Sequence, residues 1–444
     1  MTQKNPLTET TAKRKTAVVT LGCRVNQYES RAIAERLENA GVTVTETPEP
    51  DCDSVIINTC AVTAESERKS RQTIRRMKKL CPAAGIIVTG CYAQLRPDKA
   101  AAIPGVTYVC GNEKKMDCAE HVLCRHGSDD EARKTENLIF SGNYENYRVL
   151  RPDHTRAYVK IEDGCENKCA YCIIPEVRGP VRSKAPEDVY EEVRDLCENG
   201  FREIVLTGIE TCSYGYGLTE LINRLSSLQR LERIRLSSVN PAKINRAFTD
   251  SVSDNPKLCP HFHLSLQSCC DKTLNGMKRQ YNVRMITENC DYMREKIRNV
   301  CFTADMICGF PGETDDDFAE TLKNVSRLRL LFAHIFPYSD RPGTAASAMP
   351  QKVPAETAEA RCAELRKAVG ISRNTVIESF ISSKTPLRLL VEKYRNGFVT
   401  GHTENFIETS AAVSKDIKCG EILNIHLVNH EASRPFDMPE SVVF

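Results

Sequence analysis

The chain has 444 residues, 41% hydrophobic and 27% charged, which suits a folded protein of about two to four domains with buried cores. Lys and Arg (61) almost balance Asp and Glu (59), and the net charge of +2 excludes a uniformly polybasic nucleic-acid binder. No apolar run reaches the length of a membrane span, and the first residues lack the apolar segment of a signal peptide, so we expect a cytoplasmic protein without a membrane anchor.

The first third of the chain alternates short hydrophobic strands with helical patterns, and each of three strands runs into a cysteine. The strands are AVVTLG (17–22) before Cys23, SVIINTC (54–60) ending at Cys60, and GIIVTGC (85–91) ending at Cys91. A helix is predicted over 30–41, where Gly41 stops it, and a basic helix over 65–80. Parallel sheets place ligands at the carboxyl ends of their strands, so the three cysteines are candidate ligands of one site. Three buried structural thiols are the alternative.

The polar residues 125–150 are predicted to be a linker, after which the alternation of strands and helices resumes. Helices are predicted over 186–199 and 354–379, the latter closing this part. Repeated βα units without hairpin signals predict a parallel, partly or wholly closed barrel, and residues 386–444 are predicted to be a small all-β module. The predicted barrel strands are 157–163, 203–209, 233–238, 261–268, 303–310 and 333–339.

The segment GCENKCAYC, directly after the first barrel strand, carries the chemistry. Cys165, Cys169 and Cys172 have C-x-x-x-C-x-x-C spacing, which lets three thiolates hold three irons of a 4Fe-4S cube and leaves the fourth iron open. An open iron can bind the amino and carboxylate groups of S-adenosylmethionine and reduce the sulfonium to give a 5′-deoxyadenosyl radical. A structural zinc site is the alternative, but it needs a fourth ligand that this loop does not contain. The chain's other cysteines are expected to be core residues or surface thiols.

On these residues the sequence resembles the methylthiotransferase family of radical S-adenosylmethionine enzymes, and most closely its threonylcarbamoyladenosine tRNA branch. The matching segments cover nearly the whole chain: TLGCRVNQYES (20–30), INTCAVT (57–63), TGCYAQ (89–94), IPGVTYVCGN (103–112), KIEDGCENKCAYCIIPEVRGPVRSK (160–184), LTGI (206–209), HFHLSLQS (261–268), GFPGET (309–314), FPYSDRPGT (336–344) and GHTENF (401–406).

The resemblance implies a multidomain α/β fold in three parts. These are an N-terminal α/β methylthiotransferase domain (1–145), a central partial (β/α)6 radical S-adenosylmethionine barrel (146–380) and a small all-β RNA-binding TRAM domain (381–444). It also implies that Cys23, Cys60 and Cys91 hold a second, auxiliary 4Fe-4S cluster.

The implied activity is transfer of a methylthio group to C2 of N6-threonylcarbamoyladenosine at position 37, beside the tRNA anticodon. The implied partners are the tRNA anticodon stem-loop, an electron donor such as flavodoxin or ferredoxin, and a sulfur donor. Isopentenyladenosine tRNA and an aspartate of a ribosomal protein are alternative substrates. A non-enzymatic iron–sulfur protein that binds RNA is the alternative from another class.

Cofactor contacts are expected at the carboxyl ends of the barrel strands. By resemblance the methionine amine meets the loop at Gly208 and Ile209, where the missing Cβ of Gly208 permits close approach. Asp305, Ile307 and a turn over 309–313 resemble the wall on the adenine side, although a GFPGE turn is also an ordinary strand-to-helix connection. Gln267 and Tyr338 point to the same face. The predicted cofactor-binding residues are Gly208, Ile209, Gln267, Asp305, Ile307, Gly309 and Glu313.

Three segments are candidates for RNA contact. The helix over 65–80 has a basic stripe, with Ile74, Met77 and Leu80 on its other side; the alternative is a solvated face. A second candidate follows the cysteine loop, and aromatic side chains of the C-terminal module form a third. The residues concerned are Arg68, Lys69, Arg71, Arg75, Arg76, Lys78 and Lys79 in the helix, Arg178, Arg182, Ser183 and Lys184 after the loop, and Phe398, His402 and Phe406 in the module.

Overall fold

A computed structural model of the chain describes residues 14–124, 134–136, 138–413 and 416–435. The chain divides into two compact units, residues 1–141 and residues 142–444, which we call the N-terminal unit and the C-terminal unit. Among the described residues, no helix combines the length and apolar character needed to cross a bilayer.

The N-terminal unit is a parallel six-stranded sheet in the order β2-β1-β3-β4-β5-β6. Every residue of β3 and β4 is buried, as expected for central strands of a parallel sheet covered on both faces. The strands are β1 (Lys15–Thr20), β2 (Thr43–Thr45), β3 (Ser54–Thr59), β4 (Gly85–Gly90), β5 (Val106–Cys110) and β6 (Lys134–Glu136). The helices are α1 (Arg24–Asn39), α2 (Ala64–Leu80), α3 (Cys91–Leu95), α4 (Pro97–Ala101) and α5 (Asp117–Cys124).

Two sequence-based boundaries in this unit are wrong. Helix α1 begins at Arg24, six residues before the predicted start. The prediction missed its first turns because two of their buried positions are the polar residues Asn26 and Glu29, which interrupt the apolar periodicity. Residues 134–136 form β6 and pair in parallel with β5, so this part of the predicted linker belongs to the sheet. The rest of that prediction over 125–133 and at residue 137 lies outside the described residues.

The C-terminal unit begins with a curved parallel sheet whose strands follow chain order, β7-β10-β11 and then β12-β13-β14-β15, with β11 and β12 separated only by Ser237. In the described residues β7 and β15 are not paired with each other, so the barrel is partly closed, and we call it the half-barrel. Its strands are β7 (Ala157–Lys160), β10 (Glu203–Thr207), β11 (Arg233–Leu236), β12 (Ser238–Val239), β13 (His261–Gln267), β14 (Cys301–Cys308) and β15 (Phe332–Pro337), with the small ladder β8 (Glu162–Asp163) and β9 (Arg182–Ser183) above β7.

Helices cover the outer face of the half-barrel. The outward side chains of β13, Phe262, Leu264 and Leu266, are buried in the core beneath them, and the inward positions of this strand are polar. The prediction of a parallel βα barrel is therefore confirmed. Its inner face carries polar side chains that are available for a functional site. The helices are α6 (Ile174–Arg178), α7 (Pro186–Glu198), α8 (Leu218–Leu225), α9 (Arg246–Val252), α10 (Asp271–Gly276), α11 (Val283–Lys296), α12 (Asp315–Leu328) and α13 (Ala355–Ser382).

The last strands form a closed five-stranded barrel in the order β16-β17-β18-β20-β19, which confirms the predicted all-β module. This C-terminal barrel packs under the amino ends of the half-barrel strands. Arg235 Nη1 and Nη2 donate to the carbonyls of Glu404 and Thr403, and Arg233 donates to the carbonyl of Arg388. The strands are β16 (Leu387–Arg395), β17 (Phe398–Thr403), β18 (Glu408–Ala412), β19 (Ile422–Leu427) and β20 (Ala432–Pro435).

Candidate active site

The loop that carries Cys165, Cys169 and Cys172, which we call the cysteine loop, leaves the end of β8 at the carboxyl edge of the half-barrel. Its first residue, Gly164, has φ +94°, and a Cβ there would lie 2.0 Å from the carbonyl oxygen of Pro180. Only glycine permits this close approach, which is held by the hydrogen bond from Cys165 N to Gly179 O at 3.1 Å. The loop is therefore anchored to the chain that leaves α6.

All three sulfurs of the cysteine loop accept hydrogen bonds from nitrogen donors. Arg279 Nη1 lies 3.1 Å from Cys169 Sγ, Asn167 Nδ2 lies 3.4 Å from Cys165 Sγ, and the backbone N–H of Ile174 lies 3.4 Å from Cys172 Sγ. Hydrogen bonds to ligating sulfurs stabilise thiolate charge and set the potential of iron–sulfur clusters. The donor set around this loop therefore fits a cluster.

Burial, reinforced by the negative charges of Cys169 and Cys165, raises the pKa of Cys172 to about 12. Burial also raises the pKa of Cys165. Metals bind thiolates, so a cation that took up these sulfurs would displace their protons and relieve the mutual repulsion. Among the described residues no three His, Cys, Asp or Glu side chains are grouped closely enough to share one metal ion. In a cube each thiolate binds its own iron, which is a wider arrangement.

A small apolar cluster supports the cysteine loop from below. Ala170 packs with Met277, Phe310 and Ala346, and Tyr171 and Tyr338 lie at its edge. Backbone hydrogen bonds join the same partners, from Ala170 N to Met277 O at 3.0 Å and from Ala346 N to Ala170 O at 2.7 Å. The conformation of the loop is therefore stabilised by contacts with three distant segments of the chain as well as by its own sequence.

The loop after β10 meets the cysteine loop through buried carboxylates. A Cβ on Gly208 would lie 2.4 Å from Glu162 Oε2, and that oxygen accepts the N–H of Glu210 at 2.8 Å. Burial raises the pKa of Glu162 to about 8, and its Oε1 is buried without a hydrogen-bond partner. Gly208 thus lies against Glu162, and Ile209 follows it; their predicted contact with the methionine amine stays a prediction.

Glu210 is a site residue that the sequence analysis missed. Its Oε2 accepts from Asn167 Nδ2 at 3.1 Å and from Asn240 Nδ2 at 3.4 Å, and the same Asn167 amide contacts Cys165 Sγ. Burial raises the pKa of Glu210. The side-chain amide of Asn167 thus bridges the Glu210 carboxylate and the sulfur of Cys165. The available signal was an acidic residue directly after the Gly208–Ile209 pair.

Gln267, Asp305 and Ile307 lie at the carboxyl half of β13 and β14. Gln267 ends β13 with φ +63°, where the register with β14 shifts. Asp305 and Ile307 are both half-buried at alternate positions of β14, and Asp305 Oδ2 lies 3.1 Å from His263 Nε2. These three residues therefore lie in the carboxyl-terminal halves of their strands, and their predicted contact with the cofactor stays a prediction.

The turn over 309–313 is fastened to α13. Gly309 has φ +76°, and a Cβ there would lie 2.5 Å from the Cβ of Ala358. Glu313 accepts the N–H of Gly309 at 3.0 Å and pairs with Arg361 at 2.7 Å in a buried position. The carboxylate of Glu313 therefore stabilises the turn, and its predicted role in cofactor binding stays a prediction.

The second set of cysteines lies at the carboxyl ends of β1, β3 and β4 in the N-terminal unit. Cys60 and Cys91 are buried and Cys23 is exposed. A Cβ on Gly22 would lie 2.8 Å from Cys60 Cβ and 3.0 Å from its sulfur, so the chain around Cys23 approaches Cys60 closely. Burial, and then the negative charges of Cys91 and Cys23, raise the pKa of Cys60 to about 11. The structure thus brings the three predicted thiols together, and their chemistry suits a cluster.

A buried polar network stands behind this second set. Lys115, 1% exposed, pairs with the fully buried Glu29 and donates to Asn58 Oδ1 at 3.0 Å. Asn26 Nδ2 donates to the carbonyls of Leu21 at 2.7 Å and Thr59 at 3.0 Å. These bonds satisfy the backbone at the two strand ends that carry Cys23 and Cys60, and so fix where both thiols lie.

The other cysteines are mostly buried, and Cys124 and Cys419 are exposed. This agrees with the expectation of core residues and surface thiols.

The predicted RNA surface after the cysteine loop is wrong. Arg178, Arg182 and Lys184 are buried, because Asp163 pairs with both arginines and Glu192 pairs with Lys184 inside the fold. They are not available to phosphates. In the C-terminal barrel, the Phe406 ring stacks on His261 and His402 pairs with Glu392, whereas Phe398 is 51% exposed.

Helix α2 keeps its predicted basic face. Its exposed cations divide into two groups: Arg68 and Lys69 pair with Glu65, whereas Arg75, Arg76 and Lys79 have no ion pair within the described part of the chain. Ile74 and Met77 are buried as predicted, but Leu80 is 38% exposed at the helix end. Ser70 Oγ donates to Cys60 O at 2.8 Å, which ties the helix to the strand end that carries Cys60.

Comparison with known proteins agrees with this architecture. Residues 15–111 match the model of uncharacterized protein family UPF0004, and residues 159–325 match that of the radical SAM superfamily. A solved radical S-adenosylmethionine methyltransferase, TsrM from Kitasatospora setae, shares the fold at a TM-score of 0.56 with 14% identity, over 76% of this chain and 77% of that one. A parallel half-barrel with three cysteines in one loop after its first strand defines a radical S-adenosylmethionine enzyme.

Curated relatives identify the family. A threonylcarbamoyladenosine tRNA methylthiotransferase MtaB from Thermotoga maritima is 36% identical over 88% of this chain and 90% of its own length. The protein of that name from Bacillus subtilis is 32% identical over 94% of each chain. A tRNA-2-methylthio-N(6)-dimethylallyladenosine synthase from Thermodesulfovibrio yellowstonii is 31% identical over 93% and 96%. The chain belongs to the radical S-adenosylmethionine methylthiotransferase family, in the branch of the MtaB proteins.

Proposed function

We propose that this protein transfers a methylthio group to C2 of N6-threonylcarbamoyladenosine at position 37 of tRNA. The observation that carries the proposal is the cysteine loop, whose three sulfurs each accept a nitrogen donor beside the Glu210 carboxylate. Relatives named for this activity match almost the full length of the chain, which supports the same substrate. The dimethylallyladenosine relative makes an isopentenyladenosine tRNA the second candidate substrate.

The two cysteine sets would each hold one 4Fe-4S cluster. Cys165, Cys169 and Cys172 are the ligands of the first, and Cys23, Cys60 and Cys91 are those of the auxiliary one. When reduced by one electron from a donor, the first cluster would supply the chemistry that cleaves S-adenosylmethionine to methionine and a 5′-deoxyadenosyl radical, and the auxiliary cluster would supply sulfur. Neighbouring polar groups order the thiols: Asn167 and Arg279 around the first set, and Asn26 and Asn58 around the second.

The S-adenosylmethionine site would lie across the carboxyl ends of the half-barrel strands. The amine of its methionine part keeps N–H donors when it ligates the open iron, and the Glu210 carboxylate, oriented by Asn167 and Asn240, is placed to accept a hydrogen bond from it. Gly208 and Ile209 offer backbone groups beside Glu210. Gln267, Asp305 and Ile307 would bound the nucleoside part, and the turn from Gly309 to Glu313 would close the site on the α13 side.

The remaining assignments follow from the same reaction. The chain would comprise a methylthiotransferase domain (1–145), a radical barrel (146–380) and a TRAM domain (381–444). It would act in the cytoplasm on the anticodon stem-loop of tRNA, and would take electrons from a flavodoxin- or ferredoxin-like donor and sulfur from a separate donor. Arg75 and Arg76 of α2 would bind tRNA phosphates, since these cations are exposed and lack acidic partners among the described residues.

Anaerobic reconstitution tests the two-cluster assignment. We expect about eight irons per chain in the wild type and about four in each triple alanine variant, Cys165/Cys169/Cys172 or Cys23/Cys60/Cys91. The control is the Cys269/Cys270 double alanine variant, which alters two buried cysteines outside both sets and should keep about eight irons. A wild type with only about four irons contradicts the auxiliary cluster.

Nucleoside mass spectrometry tests the substrate. Transfer RNA from a deletion strain should lack 2-methylthio-N6-threonylcarbamoyladenosine and should regain it when the gene is restored. Persistence of this nucleoside in the deletion strain contradicts the threonylcarbamoyladenosine assignment, and loss of the methylthio-isopentenyl nucleoside in its place supports the second substrate.

A further inference from the structure

The open edge of the half-barrel carries a row of exposed rings. On β15, Ala333 and Ile335 are buried in the core, whereas Phe332 is 46% exposed and Phe336 is 49% exposed, with His334 exposed between them. Tyr338 continues the same alternation just past the strand. We call these four side chains, Phe332, His334, Phe336 and Tyr338, the aromatic row.

The aromatic row has the spacing of a stacking surface. Alternate residues of a strand are about 6.6 Å apart on one face, so the four rings span about 20 Å. Phe332 meets His334 edge to face at 4.8 Å, and His334 and Phe336 are nearly parallel at 6.3 Å with 23° between their planes. Two exposed phenylalanines at such spacing on an edge strand have no core to fill, which makes them unusual for a structural role.

Cations accompany the row. Arg366 and Arg373 of α13 line a cavity of about 460 Å³ together with Phe332, His334 and Phe336. Arg366 Nη2 donates to the carbonyl of Ile335 at 3.1 Å, which places the guanidinium across the edge strand. At the other end Lys352 lies 5.4 Å from the centre of the Tyr338 ring. Asp340, the acidic side chain beside Tyr338, is paired with this same lysine at 3.2 Å.

The row leads to the cysteine loop. Tyr338 packs edge to face on Phe310 at 5.7 Å, and both belong to the apolar cluster that supports Ala170 and Tyr171 between the cysteines. The backbone N–H of Tyr338 donates to Cys308 O at 2.8 Å, which fixes this end of the row against β14. A polymer lying along the row would therefore deliver one of its units to the reactive end of the half-barrel.

We infer that the aromatic row binds single-stranded RNA, with successive unpaired bases stacked on Phe332, His334 and Phe336 and phosphates paired with Arg366 and Arg373. Exposed rings flanked by arginines recognise unpaired nucleotides, because every base has a face to stack and every phosphate has a charge. This inference rests on the proposed function in one respect, which is that the substrate base is carried by RNA. A second copy of the chain pairing with the β15 edge is the competing occupant.

Binding of two RNAs tests the inference on the reconstituted full-length protein. One RNA is an anticodon stem-loop with an unpaired loop, and the other is a blunt duplex of the same stem. We expect the Phe332→Leu/Phe336→Leu variant to bind the stem-loop at least about tenfold more weakly than the wild type does, and to bind the duplex equally well, since stacking needs unpaired bases. The Phe336→Tyr variant keeps a ring and should keep wild-type affinity.

The matched control is Tyr292→Leu. Tyr292 lies on α11 with the Arg246 guanidinium 4.2 Å from its ring centre, so it has the same ring-and-cation composition away from the β15 edge. Its stem-loop affinity should equal that of the wild type. Iron content and the urea midpoint of each variant report whether the chain remains folded and loaded.

The outcomes separate this inference from the proposed function. Unchanged stem-loop affinity in the Phe332→Leu/Phe336→Leu variant, or an equal loss for the duplex, overturns the aromatic row as an RNA site. A wild-type dimer that this variant dissociates also overturns it, in favour of a second copy. Ring-dependent binding of the stem-loop by a wild type that forms no methylthio nucleoside supports the RNA site and contradicts the proposed function alone.

Discussion

Phe406 of the C-terminal barrel lies against His261 of the half-barrel, with the ring centres 4.4 Å apart and 14° between the ring planes. Arg235 stands 5.1 Å from the centre of the same ring, and Arg156 stands 5.4 Å from it. His402 is 4.7 Å away and pairs with Glu392 at 2.9 Å. The Phe406 ring thus packs between the two barrels and contacts side chains of both.

Phe406→Ala should lower the free energy of unfolding by about 2 to 4 kcal/mol, because it removes an aromatic ring and its cation contacts from the interface between the two barrels. Urea unfolding measures this change. Phe398→Ala is the matched control in the same barrel, where the ring is 51% exposed, and it should cost less than about 1 kcal/mol. Equal costs for the two variants contradict this role of the Phe406 ring.

The stability of the interface between the two barrels should depend on pH through Glu203. Burial alone would raise the pKa of Glu203, but Arg235 and Arg233 outweigh burial and hold it at about 2. The two arginines lie 2.8 and 3.1 Å from its oxygens and also reach the C-terminal barrel. Because the folded pKa lies below the ordinary value, the pair stabilises the fold at neutral pH. That contribution is lost as the pH falls from about 5 to 2, and amounts to about 3 kcal/mol.

Glu203→Gln should destabilise the protein by about 3 to 5 kcal/mol at pH 7, since it removes the carboxylate paired with the buried Arg235 and leaves Arg233 with only the more distant Glu404, at 3.7 Å. The difference between wild type and variant should narrow as the pH is lowered from 5 toward 3, which urea unfolding at several pH values measures. Glu187→Gln removes a carboxylate that is paired with Arg224 at the surface, and its effect should stay within about 0.5 kcal/mol. A difference that does not change with pH contradicts the role of Glu203.

The two halves of the basic face on α2 should differ in RNA binding. Arg75→Ala/Arg76→Ala removes two exposed cations without ion-pair partners in the described residues, so the slope of log affinity against log salt should fall by about 1.5. Arg68→Ala/Lys69→Ala has the same change of net charge on the same helix, but Glu65 already neutralises part of that charge, and the slope should change less. Stem-loop titrations at several salt concentrations measure both. Equal slopes for the two variants would mean that this face is only solvated.

The turn after β14 permits a comparison of two glycines with similar backbones. Gly309 and Gly312 have φ of +76° and +83°, but only Gly309 meets a close neighbour, at 2.5 Å, whereas Gly312 has its nearest at 3.7 Å. Both alanine variants should lose about 1 to 2 kcal/mol of unfolding free energy because alanine disfavours this backbone conformation. Gly309→Ala should cost about 1 to 3 kcal/mol more and weaken S-adenosylmethionine binding, because the turn must move off α13. Urea unfolding and calorimetric titration measure these effects, and equal values for the two variants contradict the expectation.

Local pattern was sufficient for most of the elements and for the loop with Cys165, Cys169 and Cys172, whereas the joint role of Cys23, Cys60 and Cys91 came from the family resemblance. The buried run Val55, Ile56 and Ile57 predicts a strand, and Cys60 follows the end of that strand. The other set, Cys165, Cys169 and Cys172, lies within eight residues, so these cysteines share one loop in any fold. Parallel connection then requires the strand ends that carry Cys23, Cys60 and Cys91 to lie at one edge of the sheet. These features depend on spacing along the chain, which a sequence displays directly.

Tertiary packing decided which polar and aromatic side chains are exposed. Arg178 and Lys184 are residue types typical of a basic surface patch, but they are buried and paired with Asp163 and Glu192. The Phe406 ring stacks on His261, which lies 145 positions earlier in the chain. Glu210 became part of the site only because Asn167 and Asn240 converge on it. Burial and pairing of charges arise from contacts between distant segments, so residue type and periodicity alone did not reveal them. The open edge of the half-barrel, which leaves Phe332 and Phe336 exposed, was decided in the same way.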